Sequence, residues 1–133
     1  MLEGWTQDYY LILFDESERA AVAQEYGLAQ MLPGYELIGL RGWDDFIVTS
    51  EGAVFTVPTV PCIQKYLKPF KLPDDVSTLE SDQRFTENVK WWVTPLIFGG
   101  KATAENSTLL SHSQHRQMVR WWNNEYRKAV AGA

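Results

Sequence analysis

Residues 35–61, YELIGLRGWDDFIVTSEGAVFTVPTVP, hold three apolar, β-rich runs separated by almost nothing but turn residues. Tyr35, Leu37 and Gly39 alternate with Glu36, Ile38 and Leu40 before Arg41-Gly42 turns the chain into a second run, Trp43 to Thr49. Ser50-Glu51-Gly52 then turns it back into Ala53 to Val57, with Gly52 able to take the positive φ that a short hairpin loop asks for. Connections this short permit only antiparallel neighbours, so the stretch predicts a β-meander. Pro58 and Pro61 cannot donate ladder hydrogen bonds, so the chain must leave the sheet there or follow its edge.

Working outward, Met1 to Thr6 reads as a short leader segment, and Tyr9 to Phe14 (YYLILF) as a strand buried on both faces. A helix follows, capped by Asp15 or Ser17 with Glu18 in capping-box register, apolar along Ala20, Val22, Ala23 and Tyr26, and ended by Gly27. Leu32-Pro33-Gly34 opens the turn into the meander. Beyond it, Cys62 to Leu67 suggests a helical turn, and Pro69 to Ser77 a mobile surface loop. Val89 to Phe98 fits both a helical stripe and strict alternation. Its Trp, Val, Thr and Ile content, with Pro95 inside it, favours a strand that stops at Gly99-Gly100. Lys101 to Ser107 reads as polar loop and Thr108 to Leu110 as one more short strand. The last helix starts at a Ser111/Gln114 capping box and carries Met118, Trp122, Glu125-Tyr126 and Ala129 along its inner side, widened by Trp121 and Val130. Arg116, Arg120 and Arg127 fall on the solvent side. The expected fold is therefore α+β: a single domain over residues 1–133, with an antiparallel meander sheet packed against an N-terminal helix and a long C-terminal helix.

The chain has 133 residues, net charge −5 and one cysteine, Cys62, which excludes an internal disulfide scaffold. With no charged-then-apolar leader and no membrane-length apolar run, the sequence reads as that of a cytoplasmic protein. Charge is unevenly divided. The first 64 residues carry ten acids against two arginines, and the remainder ten Lys and Arg against seven acids. An acidic half disfavours nucleic-acid phosphates and suits a basic protein partner, whose approach it would steer.

No catalytic motif stands out. His112 and His115, three residues apart on the last helix, could reach one ion. A zinc centre needs further ligands, such as Cys62 or Glu105, that no spacing announces. A small hydrolase or metal enzyme built on the two histidines is thus an alternative without a complete site. Asp44-Asp45 and Asp74-Asp75 invite acid–base roles, yet strand neighbours point to opposite faces and loop neighbours lack fixed geometry. Cys62, among Val60, Pro61 and Ile63, reads as inert packing. In Trp91-Trp92 and Trp121-Trp122, one member of each pair is expected near the surface, where tryptophan serves as packing flank or binding anchor.

Leu32-Pro33-Gly34-Tyr35, the GWDDFIVTSEG meander, Val57-Pro58-Thr59-Val60-Pro61, Ile97-Phe98-Gly99-Gly100 and the terminal HRQMVRWWNNEY together resemble the SUKH superfamily, from about Ser17 onward. Many members follow the Leu-Pro-x-x-Tyr element with a helix and an Asn-Gly turn, whereas here a strand follows directly. The resemblance implies an immunity protein that binds and neutralises a cognate bacterial toxin, often a nuclease, without catalysis or cofactor. A regulatory scaffold of the kind found in fungal relatives, with several partners and no toxin, is a further alternative. On charge and expected exposure, Asp44, Asp45, Asp74 and Asp75 are the candidate contacts for a basic toxin. Neither strand order beyond the meander nor oligomeric state follows from the sequence.

Overall fold

The computed structural model describes residues 1–6 and 8–132. The meander forms as three antiparallel strands, β3 (Glu36–Arg41), β4 (Asp45–Ser50) and β5 (Ala53–Pro58). Two earlier strands, β1 (Leu2–Trp5) and β2 (Tyr10–Leu13), and a two-residue strand, β6 (Lys68–Pro69), extend it to a six-stranded antiparallel sheet in simple chain order. The fold is α+β, with an N-terminal helix and a long C-terminal helix. Residues 2–5, expected as a leader, are instead the edge strand, paired with β2 from Leu2 against Leu13 to Trp5 against Tyr10. Four residues are too few to display alternation. What holds them is Trp5, which meets Tyr10, Trp43 and Phe85 edge-on at 5.3–6.2 Å between ring centroids.

The sheet has two unequal faces. Tyr10, Ile12, Leu37, Leu40, Phe46, Val48 and Val57 form the larger core with the helices, while Leu11, Ile38 and Ile47 form a smaller cluster behind them. That second cluster is covered by Phe70, Leu72 and Leu79, so the loop expected over residues 69–77 is anchored to the sheet by apolar side chains. Gly39 lies where β3 crosses β2 closely: a Cβ there would stand 2.1 Å from the Ile12 carbonyl oxygen, and the register with β4 shifts beside it.

The β3–β4 turn is Gly42-Trp43-Asp44 rather than Arg41-Gly42, so β4 starts two residues later than the alternation predicts, and Trp43 takes a left-handed φ of 68°. That conformation costs about 1–2 kcal/mol for a residue with a Cβ. The Trp43 ring stacks on Tyr10 at 5.2 Å and packs on Phe85 at 4.6 Å. Aromatic pairs contribute about 0.5–1.5 kcal/mol each beyond the area they bury, which offsets the strain. Asp44 is therefore a turn residue and only Asp45 a strand residue.

α1 (Glu16–Tyr26) starts at Asp15, whose N–H donates to the Glu18 carboxylate at 2.8 Å, and ends at Gly27 with φ 75°. It buries Val22 and Tyr26, but Ala20 is exposed. A further helical turn, α2 (Leu28–Met31), follows at once and brings Leu28 and Leu32 into the core. A 3₁₀ turn at Gln64–Tyr66 matches the expected helical turn.

The strand expected over residues 89–98 is shorter: β7 spans Asn88–Trp92 and pairs with β8 (Ser107–Ser111) in a separate two-stranded sheet. Proline ends it. Pro95 is buried at the start of a 3₁₀ turn, Leu96–Phe98, and the excursion is pinned by Asn106, whose side chain bonds Thr94 N–H and the Thr94 and Lys101 carbonyls at 2.8–2.9 Å.

α3 (His112–Ala131) has the expected capping box, with bonds of 3.0 and 3.1 Å between Ser111 and Gln114. Its inner stripe, however, is rotated: His115, Val119 and Asn123 are buried, while Trp121 (51% exposed), Ala129 and Val130 face solvent. Two polar residues occupy the middle because both are bonded there. Asn123 accepts from Cys62 N–H at 2.8 Å and donates to the carbonyls of Thr59 (2.7 Å) and Val119 (2.9 Å). Arg116, expected in solvent, is largely covered and bonds Glu25 of α1 at 2.6 Å.

Candidate functional site

The β3–β4 turn, the segment after β5 and the loop after β7 converge on one cleft of about 180 Å³, bordered by Asp44, Asp45, Pro58, Trp91, Trp92 and Leu96 among others. Its geometry is held from behind. The Asp44 carbonyl accepts from Thr59 N–H at 2.8 Å and Thr59 Oγ1 at 3.2 Å, and Asn123 in turn grips Thr59 and Cys62. The turn that carries Asp44 is thus tied through Thr59 to the middle of α3.

The two acids differ. Asp45 is bound by Arg41 at 2.7 Å, and the Arg41 guanidinium lies 5.3 Å from the Phe70 ring centroid and 5.7 Å from that of Tyr9. Asp44 makes no ion pair among the described residues. It stands exposed at the mouth, yet the protein packed around it pushes its carboxyl up to about 6, helped by the charge of Asp45 and opposed by Lys90. Strand neighbours were expected to diverge, but with Asp44 in the turn both acids border the same cleft. Asp74 and Asp75 lie elsewhere. Asp74 borders a shallow depression with Asp8 and Tyr9, 3.7 Å from Lys71. Asp75 accepts from Ser77 N–H (2.9 Å) and Oγ (2.6 Å), capping the 3₁₀ turn Val76–Thr78, and those bonds hold its carboxyl below its ordinary value.

Beside the cleft runs an apolar shoulder. Val93, Leu96 and Ile97 are each about half exposed, Phe98 packs on Trp122 at 4.8 Å, and Trp122 meets the exposed Trp121 at 4.8 Å. Of the tryptophan pairs, Trp91 is buried and Trp92 half-buried, while Trp121 is open and Trp122 half-buried. Lys90, two residues before Trp92 on the same strand, holds its ammonium 5.1 Å from the Trp92 ring centroid. Pro58, Lys90 and Leu96 escape a sequence reading of the site. Leu96 sits in a stretch whose alternation mimics a strand, and nothing local marks the other two.

Of the histidines, His115 serves the interior and His112 is half-buried at the start of α3. His115 is fully buried, its Nδ1 2.7 Å from the Tyr26 hydroxyl, with its ring edge-on to Tyr26 and Trp91. Burial, with His112 and Arg116 close by, pushes its pKa down to about 3. Neither histidine borders the cleft, and among the described residues no group of three or more His, Cys, Asp or Glu could hold a metal ion. Cys62 is buried and its thiol is pushed up to about 12, as expected of inert packing. No helix among the described residues is long and apolar enough to cross a membrane. Compared with known proteins, the chain matches no family model, no curated protein and no solved structure.

Proposed function

We propose that this chain is a non-catalytic binding module of SUKH type: an immunity protein that neutralises a cognate, basic bacterial toxin in the cytoplasm by stoichiometric binding. The observation that carries the reading is the Asp44 carboxylate, without an ion pair among the described residues, at the mouth of a cleft whose far rim continues into half-exposed Leu96 and Ile97. A charged centre beside an apolar shoulder is how interfaces combine fast, charge-steered encounter with slow dissociation. The acidic first half of the chain favours a basic partner over a phosphate backbone. A specific complex would bury about 800 Å² on each partner, which needs the shoulder as well as the cleft.

The test is co-expression with the toxin encoded beside it. The chain should restore growth and form a one-to-one complex by calorimetry, and Asp44→Arg should lose both. If no neighbouring gene product binds, the reading fails.

A further inference from the structure

We propose that the cleft is the seat for one arginine side chain of the basic partner, and that Lys90, resting on the Trp92 ring that lines the cleft, competes with that arginine. This deepens the immunity-protein reading and rests on it.

Size sets the first limit. About 180 Å³ is below the roughly 300–1,000 Å³ of sites for drug-sized ligands, and suits a single long side chain. Chemistry sets the second. The walls at Pro58, Trp92 and Leu96 are apolar and suit a methylene stem, while the mouth presents a carboxylate, Asp44, with no ion pair among the described residues. A guanidinium is the cation that best joins the two, because its plane stacks on aromatic faces while its fork donates to a carboxylate. The protein shows that pairing once outside the cleft: Arg41 bonds Asp45 at 2.7 Å with its guanidinium over Phe70 and Tyr9, which pack on the smaller cluster. Lys90 is not part of the cleft lining but rests on the Trp92 ring at 5.1 Å, and its charge favours ionised Asp44. A compact, strongly hydrated ammonium stacks on an aromatic face less fully than a guanidinium would, and its charge repels an incoming cation.

The experiment titrates N-acetyl-arginine amide, and separately the uncharged citrulline amide, into the ¹⁵N-labelled full chain, reading the indole Nε1–H resonances of Trp91 and Trp92. Saturable shifts with the arginine amide and none with the citrulline amide are expected. Asp44→Asn should weaken the arginine amide about tenfold or more, the scale of a lost charge-assisted hydrogen bond. Lys90→Ala should tighten it about two- to fivefold, the worth of one exposed cation–π contact. Equal response to citrulline amide, no saturable shift, or insensitivity to Asp44→Asn overturns the seat, and weaker binding by Lys90→Ala overturns the competitor role. Free arginine binding better than the blocked amide would mark a small-molecule site and overturn a partner side chain as occupant. A toxin complex that forms without any arginine-amide response sinks this inference and leaves the immunity reading standing; an arginine response with no toxin complex does the reverse.

Discussion

Asp44-Asp45 and Asp74-Asp75 are the same dipeptide placed in two surroundings, and the contrast shows that an acid's availability depends on what already holds it. In the second pair, Asp75 is bonded twice to Ser77, and Asp74 stands open to solvent 3.7 Å from Lys71 in a shallow depression that it shares with Asp8. In the first, Asp45 is held by Arg41, and that leaves Asp44 as an acid whose backbone is fixed by Thr59 while its carboxyl faces a partly dehydrated cleft. A fixed backbone with a free carboxyl is the combination that favours binding, since little entropy is lost when a partner arrives.

The largest effect that could break this contrast is charge reversal at each site. Asp44→Arg should weaken toxin binding by about 3 kcal/mol or more, the scale of a disrupted interfacial charge pair. Asp74→Arg should leave affinity within about twofold, as for a residue outside the hot spot. Equal losses measured by calorimetry would show that overall charge, and not the cleft, governs binding. Because Asp44 titrates near 6, affinity for a cationic partner should rise between pH 5 and 7 and become flat in Asp44→Asn.

Next in size is Asn123→Ala, at a residue that does not line the cleft. It leaves the Cys62 N–H and Thr59 carbonyl buried without their partner, and stability measured in urea should fall by about 1–3 kcal/mol. Binding should weaken as well, because the Asp44 turn hangs on Thr59, while the Asp75 turn is unaffected. Unchanged affinity in a folded Asn123→Ala protein would separate the cleft from its support.

The pH dependence of stability sharpens the comparison further. The His115 pKa falls from an ordinary 6.5 to about 3 on folding, so the unfolded chain takes the proton first as acid is added. Its contribution is fully present above about 6.5 and is lost toward 3, at up to about 1.4 kcal/mol per pH unit. Asp44, raised on folding, acts with the opposite sign: stability is gained as pH falls from about 6 toward its ordinary 3.8, and exposure keeps that gain small. Urea titrations of wild type and His115→Gln between pH 6 and 4 should therefore differ in slope, the variant being less stable throughout but flatter. Parallel slopes would mean that His115 takes a proton in the folded chain. The smallest effect belongs to Asp75→Asn, which should lower the melting temperature slightly and leave toxin affinity unchanged.

Much of the frame was legible because it is written in local chemistry. Both helix starts are marked by residues that bond the first turn, Asp15 with Glu18 and Ser111 with Gln114, and the α1 stop is marked by Gly27. Strands β3 to β5 follow from alternation, although Trp43 moved their first turn. The rotation of the α3 stripe was not legible, since a periodicity rule scores His115 and Asn123 as polar and cannot see Tyr26, Cys62 and Thr59 waiting to bond them. Nor was the end of β7 at Trp92, where Val93 to Phe98 continues the pattern of a strand but Pro95 and Asn106 divert the chain. Of the four acids chosen on charge, only Asp44 and Asp45 share a cleft, because exposure can be guessed from residue type and convergence cannot.

From its residues alone, then, this chain was determined to be an α+β protein with a central antiparallel meander and two capped helices, consequences of contacts between near neighbours, and to have an acidic leading half, a consequence of composition. Tertiary structure decided which polar residues could be buried, which tryptophans remained outside, and that Asp44, Pro58, Trp92 and Leu96 meet at one opening. The β4–β5 register, which sets Pro58 opposite Asp45, already brings Asp44 and Pro58 together, and packing of the β7–β8 pair against the meander adds Trp92 and Leu96 from a distant stretch of the chain.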